Sequence, residues 1–221
     1  MNYDWDWAAS EKEFKQAITL NPNYPTAHHW YAEYLVAVGK SEASLSEIER
    51  ARELDPLSLV INTDKGKILF YSRKYPEAIE QLKRTLELES DYVQALNYLA
   101  AAESANGSYE EANETLEKLK RVDPEDGASG LACLHAFHGQ TDEALRMADQ
   151  FEHIFKQGYV DPSRLVGFYI ASGNKDKSFL WLEKELENHS VGLTSLKVNP
   201  EYDSLRSDSR FAELLRRVGL P

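Results

Sequence analysis

The chain has 221 residues, 42% hydrophobic and 28% charged, with a formal net charge of −12, a globular composition that excludes a fibrous or disordered polymer. The acidic excess is spread along the chain without a basic stripe, which argues against direct binding to nucleic acid, where each phosphate contact needs a basic group. No run of about 18 apolar residues offers a membrane span, and one cysteine, Cys133, excludes an intramolecular disulfide.

In chain order, a first helix is predicted over about residues 5–20, with Phe14 and Ala17 on one side and Pro22 after it. The pattern then returns. Ser10, Ser44, Ala78 and Ala112 are spaced by 34 residues, and Ala144 and Ser178 follow after 32 and 34. Four residues beyond these small side chains stand Phe14, Ile48, Leu82, Leu116, Ala148 and Leu182; three further on stand Ala17, Ala51, Thr85, Leu119 and Phe151, with Glu185 as the departure. Pro22, Pro56 and Pro124 close units, and Ser90 holds the same place in another. Upstream lies a second pattern: Tyr31-Ala32 with Leu35, Lys65-Gly66 with Leu69, Leu99-Ala100 with Glu103, Leu131-Ala132 with His135, and Leu165-Val166 with Tyr169. Each unit therefore reads as two amphipathic helices. Gly39, Gly107, Gly139 and Gly173 fall between them, where a residue tolerant of positive φ ends the first helix. At the small positions the paired helices cross closely, and a leucine there would hold their axes apart.

This spacing resembles the tetratricopeptide repeat, an antiparallel helix pair of about 34 residues. The resemblance implies an all-α fold, a right-handed solenoid of helix pairs that bury their apolar faces by stacking. A half unit is expected at 3–22, full units at 25–56, 59–90, 93–124, 126–155 and 160–189, and a capping segment at 190–221. The shortened link after Pro124 predicts a local change of superhelical twist. The closing segment, 178–221, is similar to the end of tetratricopeptide regions in bacterial signalling proteins, which implies an upstream winged-helix, Ser/Thr kinase or cyclase domain outside this chain. The helix at 5–20 is the second member of a pair without its first, so its cover is expected from another chain or, the favoured reading, from the preceding part of a longer parent protein. Met1-Asn-Tyr-Asp-Trp-Asp-Trp has no basic flank followed by an apolar run, so a cytoplasmic location is expected, or a periplasmic one behind a fused membrane segment.

Constellations with chemistry are few. His28 and His29 are adjacent and point about 100° apart on a helix, so they cannot share a metal; one is expected to be packed and the other to face the groove. Cys133, His135 and His138 lack the second cluster that a structural zinc needs, and Cys133 reads as a quiet, small apolar residue. The run Glu110-Glu111 with Glu114 and Glu117 reads as a solvated face. Neither a phosphate-binding loop, a dinucleotide fingerprint nor a nucleophile elbow is present. No catalytic residue, cofactor or metal is expected.

The concave side of such a solenoid is lined by the first helix of each unit, which makes it the expected working surface. Extrapolating the family's groove-facing spacing gives Thr26, His29, Glu33 and Val36, then Val60, Thr63, Lys67 and Phe70, then Gln94, Asn97, Ala101 and Ser104. Val36, Val60 and Phe70 are expected as apolar islands, with Phe70 as an anchor. Family members that grip acidic chaperone tails do so with Lys, Asn and Arg; His29, Glu33, Val60, Asp64 and Tyr98 stand there in this chain, which disfavours that ligand. The expected function is a non-catalytic protein-interaction module of a larger bacterial signalling protein, with a small-ligand or peptide sensor, or a self-association module, as alternatives.

Overall fold

The computed structural model describes residues 5–157 and 162–220; the expected boundaries at residues 3, 160 and 221 lie outside them. The described residues form twelve α-helices and two 3₁₀ segments, without strands. α1 (Trp7–Leu20) stands before five helix pairs: α2 (Pro25–Ala37) with α3 (Ser41–Leu54), α4 (Leu59–Tyr71) with α5 (Tyr75–Leu88), α6 (Val93–Ala105) with α7 (Tyr109–Val122), α8 (Pro124–Phe137) with α9 (Asp142–Gln157), and α10 (Ser163–Ala171) with α11 (Lys175–Glu187). Two 3₁₀ segments, Val191–Ser195 and Pro200–Leu205, lead to α12 (Ser209–Val218). The all-α solenoid expected from the repeat is the architecture observed.

The small residues hold the pairs together as the spacing requires. Ser44, Ala78, Ala112, Ala144 and Ser178 are all completely buried, and the Ser44 hydroxyl donates to the Ala32 carbonyl of the paired helix at 2.7 Å. The closeness is mutual in the second pair. A Cβ on Gly66 of α4 would fall 2.5 Å from Leu82 Cγ of α5, so only glycine fits there without repacking. After the shortened link, Asp123 alone separates α7 from α8 and caps the latter, accepting from the Asp126 amide at 3.0 Å. Gly127 then lies against the Lys120 backbone, where a Cβ would meet main-chain atoms at 2.2 Å.

First helices adjoin one another through α2, α4 and α6, and again through α8 and α10. They line the concave side. The chain's own C-terminal segment crosses that side as a strap. Val198 joins the core cluster of Ala32, Val36, Ile48, Ala51, Ile61 and Ile68. Arg73 donates from Nη1 to the Val198 carbonyl at 2.8 Å and from Nη2 to Asp203 Oδ1 at 2.7 Å, and Lys197 donates to the Val38 carbonyl at 3.2 Å. Arg206 stiffens the strap by donating to the carbonyls of Lys197 and Asn199 at 2.9 and 3.0 Å. Leu193, Leu196 and Leu205 anchor its two ends in the largest core cluster.

α12 is tied to α11 by Arg210 with Asp176 at 2.9 Å and Arg217 with Glu183 at 2.8 Å. Its last turn meets the first helix, where the Trp7 indole donates to the Val218 carbonyl at 2.9 Å. Trp7, Tyr34, Leu214 and Val218 share one core cluster, so α1 finds cover from the far end of its own chain.

Candidate partner-binding cleft

The strap divides the concave side in two. Its N-terminal half carries a buried polar network in place of an open groove. His29 Nε2 of α2 lies 2.5 Å from Asp64 Oδ2 of α4, and the Lys67 ammonium bridges Glu33 at 2.7 Å and Asp64 at 2.8 Å. Burial alone would raise Asp64, but the His29 hydrogen bond and the Lys67 charge hold it below its ordinary value. Burial wins at Glu33, whose carboxyl is raised despite Lys67; Lys67 itself stays above its ordinary value because the two carboxylates outweigh its desolvation. Ligand atoms of His29, Glu33 and Asp64 lie within 4.8 Å of one another. That trio is of a kind that holds metals, and here a side-chain cation bridges its two carboxylates.

Both adjacent histidines are buried, which corrects the expectation that one faces the groove. His28 is held between Glu47 Oε2 at 2.6 Å and the Pro22 carbonyl at 2.9 Å. The apolar islands also need correction. Val36 is 2% exposed, in the cluster that Val198 completes. Phe70 is 3% exposed, packed among Leu69, Ala78, Leu82 and Leu99 with Tyr71 and Tyr75 beside its ring. Phe70 is therefore a core residue, although Ser104, one unit later at the same position, lines the cleft described next. Thr63 is buried, Thr26 is half-buried, and Val60 and Gln94 are exposed; none of these four lines the cleft described next.

The C-terminal half of the concave side is open. A cleft of about 350 Å³ lies between α6, α8, α10 and the second 3₁₀ segment, and Asn97, Ala101 and Ser104 line it as the spacing predicts. Carrying that spacing across the 32-residue step reaches Asp126, Ser129 and Cys133, and one unit later Ser163 and Gly167, all of which line the same cleft. The register thus contained residues that the first three units alone do not name. Phe137, Glu201 and Tyr202 are also among the wall residues; only the strap explains the last two.

Charge in the cleft is unevenly compensated. Arg164 holds Asp126 at 2.5 Å and Glu125 at 3.0 Å, and the Asn97 amide also donates to Asp126 at 3.3 Å. Glu201 has only the Asn199 amide, at 3.2 Å. Its side chain is open to the cleft, while the surrounding walls remove enough water to raise its carboxyl. Burial, with a smaller push from Glu201, takes the Cys133 thiol up to about 12, so it stays protonated at neutral pH.

Residues 63–127, across α4 to α8, match the sequence profile of the tetratricopeptide repeat. Together with the stacked helix pairs this decides the architecture. The fold is the tetratricopeptide-repeat solenoid. It is shared with a solved tetratricopeptide repeat protein from Parabacteroides merdae, at a TM-score of 0.58 and 16% identity over 99% of this chain and 89% of that one. It is shared also with pilF of Pseudomonas aeruginosa, at 0.56 and 15% over 92% and 90%. Among curated tetratricopeptide proteins, the Small glutamine-rich tetratricopeptide repeat-containing protein 2 of Mycosarcoma maydis is 26% identical over 108 residues, 49% of this chain and 31% of that protein. The Hsp70-Hsp90 organizing protein 3 of Arabidopsis thaliana is 26% identical over 140 residues, 62% of this chain and 25% of that protein. The chain spans a third or less of the length of these two relatives.

Proposed function

We propose that this chain is a non-catalytic protein-interaction module that holds a segment of a partner in the open half of its concave side, as the regulatory part of a larger bacterial signalling protein. The observation that carries the reading is the cleft itself. It is concave, walled by small side chains that let a backbone approach, and has polar groups at Asn97, Ser104 and Ser129 to fix register. The likeness of residues 178–221 to the closing segment of signalling-protein repeats supports the regulatory setting. An acidic chaperone tail, the ligand of the family members that grip it with Lys, Asn and Arg, fits poorly. The concave side meets it with Glu33, Asp64 and Glu201, and the basic groups Lys67 and Arg164 are already paired.

The test is a photo-reactive phenylalanine analogue placed at Ser104 in the cleft or at Glu117 on the exposed face of α7, expressed in cells that make the protein. A discrete crosslinked protein from Ser104 and none from Glu117 is expected; equal labelling, or none from Ser104, contradicts the reading. The size of the cleft, at the lower end of ligand pockets, favours a small-molecule sensor as the second reading. Native mass spectrometry of the purified chain separates the two by revealing or excluding a retained molecule.

A further inference from the structure

The cleft carries one carboxylate whose charge the protein does not answer. Glu201 lines the cleft opposite residues of α6, α8 and α10, and its charge reaches Tyr71, Tyr98 and Cys133. Arg164 is the one basic side chain among the lining residues, and it is engaged by Asp126 and Glu125. Lys67, the nearest cation of the polar network, is held by Glu33 and Asp64. Among the described ion pairs none includes Glu201; its carboxylate accepts only from Asn199, and Asn199 Oδ1 in turn accepts from the Glu201 backbone N–H at 3.1 Å, which fixes the turn.

We infer that the cleft selects a partner segment bearing a lysine or arginine whose cation pairs with Glu201, the strap thereby serving as the specificity-determining wall of the binding site. The walls fit such an occupant. Gly167 presents no side chain, and nothing lies within 4 Å of a Cβ built on it, which leaves room there for the long stem of a basic residue; the space beside Gly130 is filled by Leu116. Phe137, 55% exposed at the cleft, offers a surface for an adjacent apolar residue. A carboxylate already partly stripped of water by its walls gains more from an incoming cation than one on open surface, and a net charge of −12 steers basic segments towards the chain.

This rests on the cleft being the binding surface, and the experiment separates the two claims. Phage-displayed random dodecapeptides are selected on the immobilised full chain, in the wild type and in the Glu201→Gln and Glu201→Lys variants, each first checked for a native helical spectrum. Wild-type selection is expected to enrich Lys or Arg at one position. The selected peptides should block crosslinking from Ser104, lose about tenfold in affinity for Glu201→Gln, and give way to non-basic sequences on Glu201→Lys. Peptides that block Ser104 crosslinking but show no basic preference, or bind Glu201→Gln equally well, overturn the inference and leave the cleft standing. If no selected peptide reaches the cleft, both claims fall.

Discussion

Arg73 stands at the turn where Gly39, Gly107, Gly139 and Gly173 stand in the other units, and it keeps their left-handed backbone, with φ of 62°. A side chain there costs about 1–2 kcal/mol relative to glycine. The structure shows what that strain accompanies: the guanidinium of Arg73 is the link to Val198 and Asp203 of the strap. Arg73→Gly therefore removes strain and linkage together. Global stability should change by less than about 1 kcal/mol, while amide hydrogens at residues 197–203 exchange at least about tenfold faster; unchanged exchange would mean that Arg73 does not hold the strap. Lys67 makes the opposite case. Lys67→Met leaves Glu33 and Asp64 facing each other without their cation, at a cost of about 3–5 kcal/mol. With Lys67 gone, Glu33, which burial already holds above its ordinary value of 4.5, rises further, while Asp64 keeps the His29 hydrogen bond that lowers it. Glu33 then takes up a proton on folding, so the variant gains stability as pH falls towards about 5. Denaturant titrations at pH 7 and pH 5 check this, and an equal deficit at both values contradicts it.

At the scale of elements, the helix pairs were legible because close crossing tolerates few side chains. Ser44, Ala78 and Ala112 had to be small, and they sit completely buried where the paired helices meet. Ala112→Leu should accordingly cost about 1–3 kcal/mol by overpacking α7 against its neighbours; a neutral result in urea unfolding would place the crossing elsewhere. Breaks in the repeat were legible only as breaks. Glu103, where the pattern asks for an apolar residue, is buried and accepts from the Thr115 hydroxyl at 2.7 Å, a partner that no spacing announces. The groove was half legible. Its register held in α6 and extends through α8 and α10, but it failed at Val36, because position 36 is covered by a segment 160 residues downstream. That segment carries no repeat period to betray it: the Val198 and Asn199 carbonyls are held by the guanidinium groups of Arg73 and Arg206, contacts specific to one place.

At the scale of the molecule, the strap and the meeting of Trp7 with Val218 turn an open stack of hairpins into a closed one. Repeat arrays draw stability from contacts between neighbours alone. Here contacts between the first helix and the last, and between α2, α4 and the strap, add long-range ties. Closure also divides the concave side, since the N-terminal half is occupied by Val198 and a self-neutralising network, and the C-terminal half gains Glu201 as a wall. The most direct test is methyl NMR of a sample labelled at Val, Ile and Leu. Cross-peaks from the Val198 methyl groups to those of Val36, Ile61 and Ile68 are expected, from the cluster they share. Val198 methyls at random-coil positions, with cross-peaks only to their own segment, would show an open groove and contradict the account.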